Sequence, residues 1–227
     1  MQIQKSFQLT GGKLYLVPTP IGNLDDMTPR AKQILVAADY IAAEDTRTTG
    51  KLLELLGIKS GAKLLSFHEH NARQKAAEIV DLIQAGMTVA QVSDAGMPVI
   101  SDPGSELVEA ALAADLDVVS LPGASAFLTA LVGSGLEAQP FTYYGFIPRK
   151  KSQQVDFLTK IQNNAETAIF YESPHRITKT LANLAEVVEP ERQIVIAREL
   201  TKLHEEYLRG TVAELVAYFA DHEVKGE

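Results

Sequence analysis

Val92-Ser93-Asp94-Ala95-Gly96-Met97-Pro98-Val99-Ile100-Ser101-Asp102-Pro103-Gly104 is the stretch from which the fold can be read. The residues leading into it, 88–92, are rich in β-branched side chains and predict a short strand. Asp102 before Pro103 predicts a helix N-cap with proline at the first helical position. Leu107, Val108, Ala111 and Leu112 then supply the apolar stripe of that helix. The order is strand, long loop, helix. In an open α/β sheet, ligands sit at the carboxyl ends of the strands. Gly96 there lets a ligand approach the backbone, and Asp94 offers an acceptor. The loop exceeds the usual strand-to-helix length of about 2–6 residues, which favours a functional role. The bland alternative is a surface turn rich in turn formers, and the recurrence of similar loops after other strands argues against it.

Working outward, strands are predicted at 14–17, 39–43, 64–67 and 117–121. Helices are predicted between them: one opened by Thr28-Pro29 with Ala31, Ile34, Leu35 and Ala38 apolar, one over 48–56 ending at Gly57, and one capped by Asn71 with Ala76, Ile79, Val80 and Ile83 on one face. This alternation predicts a parallel sheet covered by helices. After Gly133-Ser134-Gly135 the pattern changes. Strands are expected at 141–146, 167–171 and 193–197, with 204–209 joined to the last by a link too short for a parallel crossover, hence antiparallel. Thr211 and Glu214 form a capping-box pattern opening a final helix. The expected fold is α/β: a parallel-sheet N-terminal domain over 1–122 and a mixed-sheet α+β domain over 123–227.

The 227 residues, 46% of them hydrophobic, are enough for a substantial core. No apolar run reaches membrane-spanning length and residues 1–12 lack a signal-peptide segment, so a soluble cytoplasmic protein with no membrane partner is expected. Cysteine is absent, which excludes disulfides and thiolate metal sites. A net charge of −8 means that any nucleic-acid contact needs a local basic patch.

Polar clusters directly follow the predicted strands, at 18–23, 44–47, 93–97, 122–126, 149–151, 172–176 and 198–202. Scattered charges would not gather at strand ends, so this placement is the main residue-level evidence for a site. There is no Walker A loop, no G-x-S-x-G elbow and no G-x-G-x-x-G after the first strand. His68-Glu69-His70 has the chemistry of a metal site but lacks an obvious third ligand, so a solvated loop is the expectation and no metal is assigned. Arg149-Lys150-Lys151 is the densest basic run; as a charge run it reads first as a solvated face.

The segments 17–24, 43–47, 92–104, 145–150, 170–176 and 198–202 together, in this order, resemble the RNA-modifying branch of the tetrapyrrole methylase superfamily. The resemblance spans about 12–227. It implies a two-domain α/β homodimer that binds S-adenosylmethionine between its domains and methylates the ribose 2′-hydroxyl of a cytidine in the decoding region of 16S rRNA, free or within the small ribosomal subunit. It implies cofactor contacts from Pro20, Ile21, Asp94, Ala95, Gly96, Val99, Ser125, Ala126, Glu172 and Leu200. Candidate catalytic groups are Glu44, Asp45 and Glu199 as bases, with Arg47, Arg176 and Lys202 holding phosphates or lowering the hydroxyl pKa. Candidate RNA contacts are Arg149, Lys150, Lys151, Arg176 and Arg198. For each carboxylate the competing role is an ion pair with a nearby arginine. Family members are expected to continue past Glu227 with a C-terminal extension that this chain does not show. Two rivals stand beside this reading: a sister enzyme methylating a corrin or porphyrin precursor, and a non-catalytic ribosome-binding relative. The Pro-Thr-Pro-Ile-Gly-Asn loop at 18–23 differs from the glycine-rich loop of the precursor methylases.

Overall fold

The computed structural model describes residues 3–7, 11–222 and 226. The chain forms two units, Met1–Ser125 and Ala126–Glu227, against an expected division at 122/123.

The first unit contains five strands, β1 (Lys13–Leu16), β2 (Tyr40–Ala43), β3 (Lys63–Ser66), β4 (Thr88–Val92) and β5 (Asp117–Ser120). They pair in the order β3-β2-β4-β1-β5, every pair parallel. Helices α1 (Pro29–Ala37) and α2 (Thr46–Leu55) cover one face, and α3 (Ala72–Gln84) and α4 (Ser105–Ala113) cover the other. On the first face Ala31, Leu35 and Leu53 pack on Val17, Ile41, Ala43, Ala90 and Val92. On the second, Ala76, Ile79, Ile83, Leu107 and Ala111 pack on Leu14, Leu16, Ala42 and Val89. Burial on both faces explains the near-continuous apolar runs of β2 and β4. Each fully buried Leu or Ile in these layers contributes roughly 1.5–3 kcal/mol.

Three local expectations change. Asp102 is not the cap of α4: the chain continues to Gly104, the N-cap, at φ 147°. A buried glutamine sets this geometry. Gln91 Nε2 donates to the Pro103 carbonyl at 2.7 Å, and a Cβ on Gly104 would lie 2.3 Å from that same Nε2. Helix α2 begins at Thr46 rather than Thr48, because the Asp45 side chain caps it by accepting from the Arg47 N–H at 2.8 Å. Asn71 occupies the N-cap position of α3 but makes no side-chain cap bond; its amide is used on the preceding turn.

The second unit holds α5 (Ala126–Ser134), β6 (Phe141–Phe146), α6 (Lys151–Ile161), β7 (Thr167–Tyr171), α7 (Ile177–Ala185), β8 (Gln193–Arg198), β9 (Glu206–Thr211) and α8 (Val212–Asp221). β6 and β7 pair in parallel, and β8 and β9 pair antiparallel as the short link requires. Among the described residues these are separate two-stranded sheets, giving the mixed character expected of this half. Its core comprises Ile147, Leu158, Leu181, Leu184, Val188, Val212, Leu215 and Phe219. Thr211 and Glu214 form the expected capping box. Among the described residues no helix is long and apolar enough to cross a membrane.

Candidate active site

β1 and β4 are neighbours, yet the chain leaves β1 toward α1 on one face and leaves β4 toward α4 on the other. Such a divergence opens a crevice at the carboxyl ends of the two strands, the usual ligand position in open α/β sheets. The loops after β1 and β4 meet there. Thr19 N–H donates to the Gly96 carbonyl and Gly96 N–H to the Thr19 carbonyl, both at 3.0 Å. The Thr19 hydroxyl donates to the Ser93 carbonyl at 3.0 Å. Gly96 lies at φ 80°, and a Cβ there would sit 3.4 Å from Ile21 Cγ2 and 3.7 Å from the Ala124 carbonyl. Gly123 is tighter, since its Cβ would meet Pro18 Cβ at 2.5 Å. The loops after β4, β1 and β5 thus interlock through glycine, proline and backbone. Pro20, Ile21, Asp94, Ala95, Gly96 and Ser125 all belong to this group, with Ser125 buried. Val99 is half-buried at φ 77°, a conformation that β-branched residues rarely adopt and that clusters at functional loops.

The other half of the same edge is charged. The Asp45 N–H donates to Asp94 Oδ1 at 3.3 Å, tying the loop after β2 to the loop after β4. Burial raises the Glu44 carboxyl above its ordinary pKa, and the charges of Asp102 and Asp94 raise it further. Asp94 and Asp102 are also raised, each chiefly by burial. Asp45 behaves in the opposite way. The Arg47 guanidinium donates to it through Nε at 3.0 Å and Nη2 at 2.6 Å, holding its carboxyl down at about 2. Glu44 therefore has the higher proton affinity of the two, whereas Asp45 is a helix cap and the ion-pair partner of Arg47.

Two residues of this edge, Gln91 and Asp102, carry no site signal in the sequence pattern, whereas Thr19 lies within the 18–23 loop that the pattern singles out. Asp102 has the local signature of a helix cap, and the register that brings it to Glu44 depends on the Gln91 tether, which no local pattern encodes.

In the second unit, the ends of β6 and β7 lie together, with Ile147 N–H donating to the Tyr171 carbonyl at 3.2 Å. Arg149 and Lys150 are exposed there, and Lys151 pairs with Glu186 at 2.6 Å. The Glu172 side chain is 4% exposed and is engaged within its own unit. It accepts from the Ser173 N–H at 2.6 Å, from the Thr180 hydroxyl and from Arg176. Thr180 in turn accepts from Gln154 at 3.1 Å, and Gln154 accepts from Asn183. This buried network joins α6, α7 and the loop after β7. Arg198 pairs with Glu206, and Lys202 pairs with Glu199 at 3.0 Å. Leu200, between Glu199 at φ 51° and Thr201 at φ 65°, is buried. Ala126 is the first residue of α5. Among the described residues no group of three or more His, Cys, Asp or Glu is arranged to hold a metal ion.

Comparison with known proteins agrees with this architecture. The family described as tetrapyrrole (corrin/porphyrin) methylases matches residues 13–216. A Streptococcus pyogenes protein named ribosomal RNA small subunit methyltransferase I is 54% identical, over 100% of this chain and 79% of its own length. The Bacillus subtilis protein of the same name is 47% identical over 95% of this chain and 73% of its own. The crystal structure of the methyltransferase CobJ shares the fold, with a TM-score of 0.68 at 22% identity, covering 90% of this chain and 88% of that one. The chain belongs to the tetrapyrrole methylase family and is closely related to the proteins named ribosomal RNA small subunit methyltransferase I.

Proposed function

We propose that the chain is an S-adenosylmethionine-dependent methyltransferase acting on 16S rRNA, and that it methylates the ribose 2′-hydroxyl of a cytidine in the decoding region. The observation that carries the proposal is the Thr19–Gly96 crevice at the β1/β4 divergence, flanked by a carboxylate edge, in a chain so close to named ribosomal RNA methyltransferases. The crevice suits the cofactor, because its walls are backbone groups and its floor is a glycine at a φ that excludes most side chains. Pro20, Ile21, Asp94, Ala95, Gly96, Val99, Ser125 and Ala126 are the proposed contacts. Glu172 and Leu200 contribute through their backbone, since the Glu172 carboxylate is already bonded and Leu200 is buried.

When bound, S-adenosylmethionine supplies a methyl group that is already electrophilic. The protein's work is to align the hydroxyl with it and to take up the hydroxyl proton. Alignment accounts for roughly 7–11 kcal/mol in well-oriented systems, and a positioned base adds about 10²- to 10⁴-fold. Glu44 is the proposed base: its raised proton affinity and its place beside Asp94 suit the task better than the ion-paired Asp45 or Glu199. Arg47 and Lys202 would hold phosphate oxygens near the reacting ribose. Arg149, Lys150, Lys151, Arg176 and Arg198 form the proposed RNA-binding group. A homodimer is part of the proposal, in keeping with the exposed Phe146 and Val132 of the second unit, which are 61% and 82% accessible.

The test is calorimetric titration with S-adenosylmethionine, followed by transfer of labelled methyl to small ribosomal subunits and, separately, to a porphyrinogen. The reading expects binding and RNA labelling. Labelling of the porphyrinogen alone would replace it with the tetrapyrrole-precursor activity, and binding to subunits without transfer would make the chain a non-catalytic relative.

A further inference from the structure

The turn after β3 is built with more hydrogen bonds than a connector needs. β3 stays paired to β2 one residue past its end, where the Phe67 N–H donates to the Ala43 carbonyl at 2.8 Å. The Phe67 ring is 1% exposed, which anchors the chain at that point. Asn71 then closes on His68 from both sides: its Oδ1 accepts from the His68 N–H at 2.9 Å, and its own N–H donates to the His68 carbonyl at 3.0 Å. Its Nδ2 donates to the Ser66 carbonyl at 3.1 Å. These bonds replace the side-chain cap that an asparagine at this position would ordinarily give α3. The backbone of His68 is therefore fixed by the turn. Ring Nδ1 is buried without a hydrogen-bond partner, and the outward neighbour is the His70 ring, edge-on at 5.9 Å. A buried ring nitrogen with no partner in the chain has hydrogen-bonding capacity that a group from outside the chain, water or ligand, can use.

The strand register says where that partner lies. β2 and β3 pair with Ala43 opposite Ser66, and the Phe67–Ala43 hydrogen bond extends that pairing by one residue, so the turn bearing His68 starts beside the loop bearing Glu44 and Asp45. The proposed cofactor loops follow β4, β1 and β5, and the loop after β4 borders the charged half through Asp94. Resting on the proposed methyl transfer to RNA, we propose that His68 contacts the RNA substrate, with its ring turning to hydrogen-bond a ribose or base edge of the nucleotide held beside Glu44 while His70 offers a stacking face. A ribose hydroxyl is both donor and acceptor and satisfies either imidazole tautomer. Histidine rings also stack on unpaired bases.

The experiment is steady-state methyl transfer to small ribosomal subunits by the unaltered chain and by His68→Ala, His68→Asn and His70→Ala, with S-adenosylmethionine affinity measured for each. His68→Ala is expected to raise KM for subunits about tenfold with a smaller change in kcat, and to leave cofactor affinity within twofold. His70→Ala is expected to raise KM less. Nitrogen NMR of the unaltered chain supplies a readout that needs no substitution: the His68 ring signals shift when a single-stranded RNA fragment of the substrate is added. Unchanged KM in His68→Ala, or an unmoved ring signal on RNA binding, would overturn the inference while the unaltered chain still methylates RNA. Absence of transfer by the unaltered chain would instead overturn the RNA reading and this inference with it.

Discussion

Replacing Gly96 tests the crevice where the loops after β1 and β4 are bonded to each other. Gly96 sits at φ 80°, where an L side chain costs about 1–2 kcal/mol. In Gly96→Ala the new Cβ meets Ile21 Cγ2 at 3.4 Å, which a small shift of that side chain relieves. With about 2–4 °C of Tm per kcal/mol in a chain of this size, Gly96→Ala should lower Tm by about 2–8 °C. Gly96→Val adds branching at a backbone angle that β-branched residues avoid, and its methyl groups press on Ile21 and the Ala124 carbonyl. Loss of the paired Thr19–Gly96 hydrogen bonds would remove about 0.5–1.5 kcal/mol for each. S-adenosylmethionine affinity should then fall at least about tenfold, equivalent to about 1.4 kcal/mol. Gly57→Ala is the control, because Gly57 lies at φ 65° with nothing within 4 Å of an added Cβ. It should show a comparable thermal loss and unchanged affinity. Calorimetry and thermal denaturation read both quantities. If Gly96→Val bound the cofactor as tightly as Gly57→Ala, the crevice would not be the cofactor site.

Glu44→Gln should lower kcat by about 10²-fold or more and leave cofactor affinity intact, as measured by single-turnover transfer. A base must be ionised, so transfer by the unaltered chain should fall as pH drops through the raised Glu44 value. Burial is the largest cause of that rise and Asp102 the next, so Asp102→Asn should move the acid limb of the pH–rate profile to lower pH; no shift would separate Asp102 from the site. Asp45 has its pKa lowered from 3.8 to about 2 by the Arg47 side chain and then the Arg47 backbone, so it stabilises the fold above pH 3.8 and stops doing so as pH falls through about 2. The stability gap between the unaltered chain and Asp45→Asn, followed by acid titration, should therefore close over that window. For RNA, Arg149→Ala with Lys150→Ala should flatten the plot of log affinity against log salt by about 0.7 for each phosphate no longer neutralised. Adding Lys151→Ala should flatten it further but by less, because Lys151 must first leave its pair with Glu186.

The parallel sheet was legible because strand, polar loop and helix recur with little variation from Lys13 to Ser120, and burial on both faces writes itself into apolar runs such as Tyr40–Ala43. The Thr211–Glu214 capping box and the β8–β9 pairing were legible for the same reason: both are set within a few residues. What escaped depends on contacts between distant segments. Asp102-Pro103 has the local signature of a helix start, yet Gln91, on the neighbouring strand, holds Pro103 and moves the start to Gly104. Asn71 has the signature of a cap, and its amide serves His68 instead. Glu172 belongs to the polar cluster at a strand end and is implied as a cofactor contact, and the network through Thr180, Gln154 and Asn183 takes up its side chain. The charged and the glycine-rich halves of the site edge were each visible as motifs. Their order along the edge follows from the β3-β2-β4-β1-β5 topology, which the motifs alone do not specify.

The most direct test of the central claim is mass mapping of 16S rRNA after incubating unmethylated small ribosomal subunits with the purified chain and S-adenosylmethionine. The account predicts one added methyl group on the ribose of a decoding-region cytidine, reduced in Gly96→Val at limiting cofactor and strongly reduced in Glu44→Gln. A methyl group found on a base, or RNA left unmodified while the chain binds the cofactor, would contradict it.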